Sequence, residues 1–96
     1  MKQANENMEY LFKCIVAVDN IEDCKSFLED LCSMSELEEM SRRVKAARML
    51  RDGYVYSEIA AETGLSTATI SRVNRCLKYG NNGYSNVLDA VKKMES

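Results

Sequence analysis

The sequence has no proline, no histidine and only four glycines in 96 residues. With no proline to interrupt helix hydrogen bonding and long stretches of Glu, Lys, Arg, Leu, Met and Ala, the composition predicts an all-α protein. The lack of histidine removes the commonest general base and the usual nitrogen ligand of zinc. The four cysteines, Cys14, Cys24, Cys32 and Cys76, form no CxxC pair, so no metal is expected. Three of them fall at apolar helical positions and read as buried, reduced thiols acting as small hydrophobes. There is no Gly-rich phosphate loop and no Ser or Cys beside a plausible base, so an enzyme is not expected. No apolar run approaches the ~20 residues needed to span a bilayer. The opening MKQANENMEY is polar and acidic and lacks the form of a signal peptide. A cytoplasmic protein with no membrane partner is therefore expected.

The formal net charge is only −2, but it is unevenly spread. Residues 1–41 carry three lysines against ten acids. Residues 42–80 carry eight basic side chains (Arg42, Arg43, Lys45, Arg48, Arg51, Arg72, Arg75 and Lys78) against Asp52, Glu58 and Glu62. An acidic first part thus precedes a basic one, and a basic surface is what contact with phosphates requires.

Within that basic part, Tyr56 to Arg75 (YSEIAAETGLSTATISRVNR) reads as two short helices joined by a tight turn at Thr63-Gly64-Leu65. Ile59 and Ala60 form the inner face of the first helix, with Ala60 small enough for a close crossing. Gly64 falls where the chain must turn sharply, a position that calls for φ > 0. Ser66 offers an N-cap hydroxyl to the second helix. Ile70, Val73 and Leu77 make its apolar stripe. The opposite face carries Thr67, Ala68, Thr69, Ser71 and Arg72, with Arg75 one turn on. These are short side chains and guanidinium groups, the types that approach phosphates and base edges in a major groove. A bland surface helix would favour Glu and Lys there.

Around this hairpin the periodicity predicts four more helices. The first runs from about Asn5 to Val18, with a wide apolar face from Met8, Leu11, Phe12, Ile15, Val16 and Val18. Asp19-Asn20 breaks it and caps a second helix, about Ile21 to Cys32. A short link, Ser33-Met34, precedes a capping box at Ser35 and Glu38 that opens a third helix. Leu37, Met40, Val44, Ala47 and Leu50 mark its buried side, and Asp52-Gly53 ends it. KYGNNG, residues 78–83, is turn chemistry, and a last helix follows from about Tyr84 to Met94. The reading is one domain, residues 1–96: N-terminal dimerisation helices (1–34), a central helix with the helix-turn-helix (35–79), and a C-terminal helix (84–95). The first two helices have broader apolar faces than so small a body can cover, which makes a second copy the natural partner.

The segment Glu58 to Arg72, EIAAETGLSTATISR, resembles the helix-turn-helix of the Trp repressor family. FLEDLCSMSELEEMSRR, RCLKYGNNGY and NVLDA are similar to the YerC/YecD-type group of Trp-repressor-related proteins, and the likeness covers about residues 8–90. The resemblance implies a six-helix fold, an intertwined homodimer with interlocked N-terminal helices, and a sequence-specific transcriptional regulator of double-stranded DNA, a repressor. It carries DNA contact to Ser57 and Ala60 on the first helix of the hairpin and to Thr67, Ala68, Thr69, Ser71 and Arg72 on the second. Ser66 and Arg75 complete the candidate set. In the family, tryptophan as co-repressor lies between an arginine of the central helix and one of the recognition helix, beside a glycine. Arg43 (or its neighbour Arg42) and Arg72 match the arginines and are the candidate effector-binding residues. The glycine position is Val73 here, and a nearby serine is Cys76. A branched side chain at Val73 would fill the indole space, so no cofactor is expected. The competing reading is a helical protein-interaction adaptor with an acidic N-terminal face, whose helix-turn-helix is only scaffold.

Overall fold

A computed structural model describes residues 2–96, and among them the chain is built from six helices and no strand. They are α1 (Lys2–Ala17), α2 (Ile21–Leu31), α3 (Met34–Arg51), α4 (Tyr56–Thr63), α5 (Thr67–Tyr79) and α6 (Gly83–Glu95). The chain divides into two compact units, Met1–Leu37 and Glu38–Ser96, with the boundary inside the first turn of α3.

In the first unit, Asn20 caps α2 as its sequence suggests. Its Oδ1 accepts from the Asp23 amide at 2.8 Å, while its Nδ2 donates to the carboxylates of Asp19 and Asp23. Glu22 and Asp23 lie in the first turn, where negative charge suits the helix dipole. No residue from 3 to 37 is buried. Met8, Phe12 and Ile15 are about half exposed, and Val16 and Ile21 are 82% and 84% exposed. The cysteines depart from expectation in the same way. Cys14, Cys24 and Cys32 are only half-buried, because nothing closes over the faces that hold them, and Cys76 is exposed.

The capping box at the head of α3 lies two residues earlier than expected. Ser33, not Ser35, is the cap. Its amide donates to Glu36 Oε1 at 2.8 Å, and the Glu36 amide donates to Ser33 Oγ at 3.2 Å. The segment Ser33-Met34-Ser35-Glu36-Leu37-Glu38 spells S-x-x-E twice in overlapping registers. The earlier one closes, which lengthens the helix by one turn's start. The Ser33 amide, and to a smaller degree the Ser33 hydroxyl, favour the ionised Glu36 and hold its carboxyl below the ordinary value of 4.5. A lowered folded value means that the box contributes fully above pH 4.5 and is lost as the pH falls through the folded value. An NMR titration of Glu36 is expected to give a midpoint below 4.5, and Ser33→Ala, which keeps the amide and removes the hydroxyl, is expected to reverse only the smaller part of that lowering.

The second unit is organised by the hairpin α4–α5. Ala46, Ile59, Leu65 and Ile70 form its core, with Met49, Leu50, Tyr56 and Ala60 packed around them. Ala47 and Val73 are buried too. Of the line expected along α3, Ala47 is fully buried and Leu50 packs against the core, joined there by Ala46 and Met49, whereas Val44 is 48% exposed. Two adjacent alanines let the hairpin come close at 46 and 47. Val44 instead turns toward α6, where it lines a groove with Val87 and Val91. Arg51 ties α6 to α3: its Nη2 meets Asp89 Oδ1 at 2.6 Å, and its Nη1 donates to the Ser85 carbonyl at 3.2 Å. The link between α5 and α6 ends at Asn82, the one non-glycine among the described residues with φ in the left-handed region, at 63°. Asn tolerates that geometry better than other side chains.

Candidate nucleic-acid interface

The turn between α4 and α5 follows from three consecutive residues. Thr63 is 7% exposed; its Oγ1 donates to the Ile59 carbonyl at 2.7 Å and accepts from the Leu65 amide at 3.2 Å. It thereby satisfies two backbone groups that the end of α4 would leave open. Gly64 takes φ 75°, ψ 4°, the left-handed C-cap, and its amide donates to the Ala60 carbonyl at 2.9 Å. Leu65 then drops into the core at 7% exposure. Ser66 starts α5, its Oγ accepting from the Thr69 amide at 3.1 Å. Gly64 and Ser66 behave as their sequence suggests. Thr63 adds a role that the turn residues alone do not announce, although a threonine immediately before a helix-ending glycine is a signal of this stitch.

The head of α4 has an acceptor from one side only. Val55 occupies the N-cap and has no side-chain acceptor, but its amide donates to Glu58 Oε1 at 3.0 Å. The other acid of α4, Glu62, meets Lys45 Nζ of α3 at 3.0 Å. Both carboxylates of the hairpin are thus occupied. Exposed pairs of this kind contribute about 0–1 kcal/mol each, so their consequence is chiefly for the local field.

On α5, with about 100° of rotation per residue, Thr67, Ala68, Ser71, Arg72, Arg75 and Lys78 fall within an arc of about 140°. Ile70, Val73 and Leu77 lie opposite, and the first two of these are buried. Thr67, Ala68, Arg72 and Arg75 are exposed and Ser71 is half-buried. Thr69 sits off the arc. It is half-buried, and its hydroxyl is 3.0 Å from that of Ser66, so the two hydroxyls are engaged with each other at the helix start. On α4, Ser57 is exposed in the first turn, and Ala60 is half-buried against the core.

The basic residues divide into two groups. Arg42 pairs with Glu38 at 3.4 Å and Glu39 at 3.8 Å, Lys45 with Glu62, and Arg51 with Asp89. Arg43, Arg48, Arg72, Arg75 and Lys78 make no ion pair among the described residues. Three of these five lie on the exposed arc of α5, whose own sequence contains no acid.

Residues 6–92 match the family described as Trp repressor protein. The chain belongs to the Trp repressor family. It is similar to YerC of Bacillus subtilis (strain 168), an uncharacterized protein, at 45% identity over 95 residues, covering 99% of this chain and 91% of that one. Among solved structures it is similar to a TrpR-like protein from Eubacterium eligens ATCC 27750. The identity is 42% and the TM-score 0.85, over 91% of this chain and 90% of that one. A structure from Staphylococcus aureus superposes equally well, at 41% identity and TM-score 0.85, over 91% and 87% of the two chains. The six-helix all-α architecture is thus the Trp-repressor-like fold.

The positions that the family resemblance links to tryptophan are Val73, Arg72 and Arg43. Val73 is 2% exposed, buried with Ile70 on the packing face of α5. Arg72 projects into solvent and Arg43 is half-buried, neither with a partner. Among the described residues no cluster of three His, Cys, Asp or Glu could hold a metal ion, and no helix is long and apolar enough to cross a membrane.

Proposed function

We propose that this protein is a sequence-specific, DNA-binding transcriptional regulator, a repressor, acting as a cytoplasmic homodimer without tryptophan. The observation that carries the reading is the exposed arc of α5: short side chains at its start, unpaired Arg72, Arg75 and Lys78 beyond, and no acid. Such an arc suits a recognition helix whose first turns meet base edges while its cations meet phosphates. The homodimer is supported by the first unit, where no described residue is buried and the apolar faces of α1 and α2 remain open. Two copies would set two recognition helices about one turn of DNA apart, ~34 Å. Sedimentation is expected to give twice the chain's mass of 10.9 kDa.

The test is capture of fragmented genomic DNA at two salt concentrations, with and without tryptophan, followed by sequencing of what is retained. A near-palindromic site is expected, retained less at high salt and equally with and without tryptophan. Enrichment that required tryptophan would overturn the assignment of Val73. Salt-sensitive retention with no enriched sequence would leave only a basic surface. No retention would favour the adaptor reading, in which the acidic N-terminal helices carry the function.

A further inference from the structure

The first turn of α5 is unusual in how little hydrogen-bonding capacity it offers. Ser66 Oγ accepts from the Thr69 amide, and the Ser66 and Thr69 hydroxyls are 3.0 Å apart. Two of the three hydroxyls at this end are therefore occupied by the helix start. The side chains left exposed are Thr67, with one hydroxyl and one methyl, and Ala68, with a methyl alone. Ala68 lies near the middle of the exposed arc, within about 20° of the line through Arg75. Arg75 is about 10 Å further along the axis, on the scale of the major groove's ~12 Å width.

That geometry separates two tasks. Long guanidinium groups at Arg72 and Arg75 reach across to bases or phosphates at a distance. A methyl at Ala68 can touch something only if the helix backbone itself comes close. The one apolar group presented in the major groove by the four base pairs is the thymine 5-methyl. Thr67, the other exposed side chain of the first turn on the arc, lies at its edge, about 100° from Ala68, so the more central place belongs to Ala68. Resting on the DNA-binding reading above, we propose that Ala68 is a specificity residue that reads thymine through its 5-methyl group. The arrangement makes each half-site depend on one thymine opposite Ala68, beside the positions addressed by Arg72.

The test uses the full-length protein and the site recovered by genomic capture, resynthesised with uracil in place of thymine at one position at a time. Uracil keeps every hydrogen-bonding group and removes only the methyl. At one symmetric pair of positions the wild-type protein is expected to bind about fourfold less tightly for each methyl removed, the value of one buried methyl group. Ala68→Gly is expected to bind the thymine and uracil sites within about twofold of each other, because the partner of the methyl is gone. Ala68→Ser, which leaves a helix-compatible side chain in place, is expected to show the same narrowing. Thermal melting of both variants separates this from loss of the fold. Specific binding with no uracil-sensitive position would overturn the proposal, as would an equal uracil penalty in wild type and both variants. Failure to recover any specific site would instead count against the DNA-binding reading itself.

Discussion

Replacing Ile59 by Ala is expected to lower the unfolding free energy by about 2–5 kcal/mol, the range for truncating a branched side chain in a closed core. Ile59 and Ile70 are the two largest fully buried side chains among the described residues, and they meet where α4, α5 and α3 converge. Few other residues share the load, since the described buried set contains only six hydrophobics, two of them alanines. Natural domains have about 5–15 kcal/mol in total, so one such change removes a large part of the stability. Urea unfolding followed by far-UV circular dichroism checks it, with the midpoint falling and the slope unchanged. A change below about 0.5 kcal/mol would mean that the hairpin is not where the fold is held.

The second large effect is on binding. Arg72→Ala is expected to weaken binding to the preferred site by about 1–3 kcal/mol for each protomer engaged and to relax selectivity at one guanine. Arg72 is exposed and makes no ion pair among the described residues, so its removal exposes no buried partner and should leave thermal stability unchanged. Competition titrations across single-base variants of the site, at two salt concentrations, give the answer. Equal weakening on every sequence, with a salt slope shallower by about one per protomer, would reassign Arg72 to a phosphate.

Local chemistry was readable in the sequence wherever one residue type has one job. Gly64 takes the left-handed turn that only glycine adopts freely, Ser66 caps α5, and Asn20 caps α2. Ambiguity entered where the same chemistry occurs twice or where the neighbour decides. Ser33-Glu36 and Ser35-Glu38 are identical patterns, and only the start of the helix chooses between them. On α3, periodicity places Val44 on one line with Ala47 and Leu50, yet Val44 is 48% exposed while Ala46 is buried. The close approach of the hairpin selects the smaller residue, a preference of packing and not of hydrophobicity. The use of Arg51 and Lys45 as ties to α6 and α4 could not be foreseen, because their partners lie 38 and 17 residues away. For the candidate site, the face of α5 was legible from spacing, whereas the withdrawal of Thr69 into the helix start required coordinates.

The bare faces of α1 and α2 bear on how much working protein a cell holds. On the homodimer reading, covering them and completing the fold are one equilibrium, so stability rises with the protein's own abundance by mass action. Chains made in small amounts spend longer open and are removed sooner by proteolysis. The amount of functional regulator then falls more steeply than its rate of synthesis, and dosage becomes a sharp threshold where a self-sufficient monomer would give a proportional response.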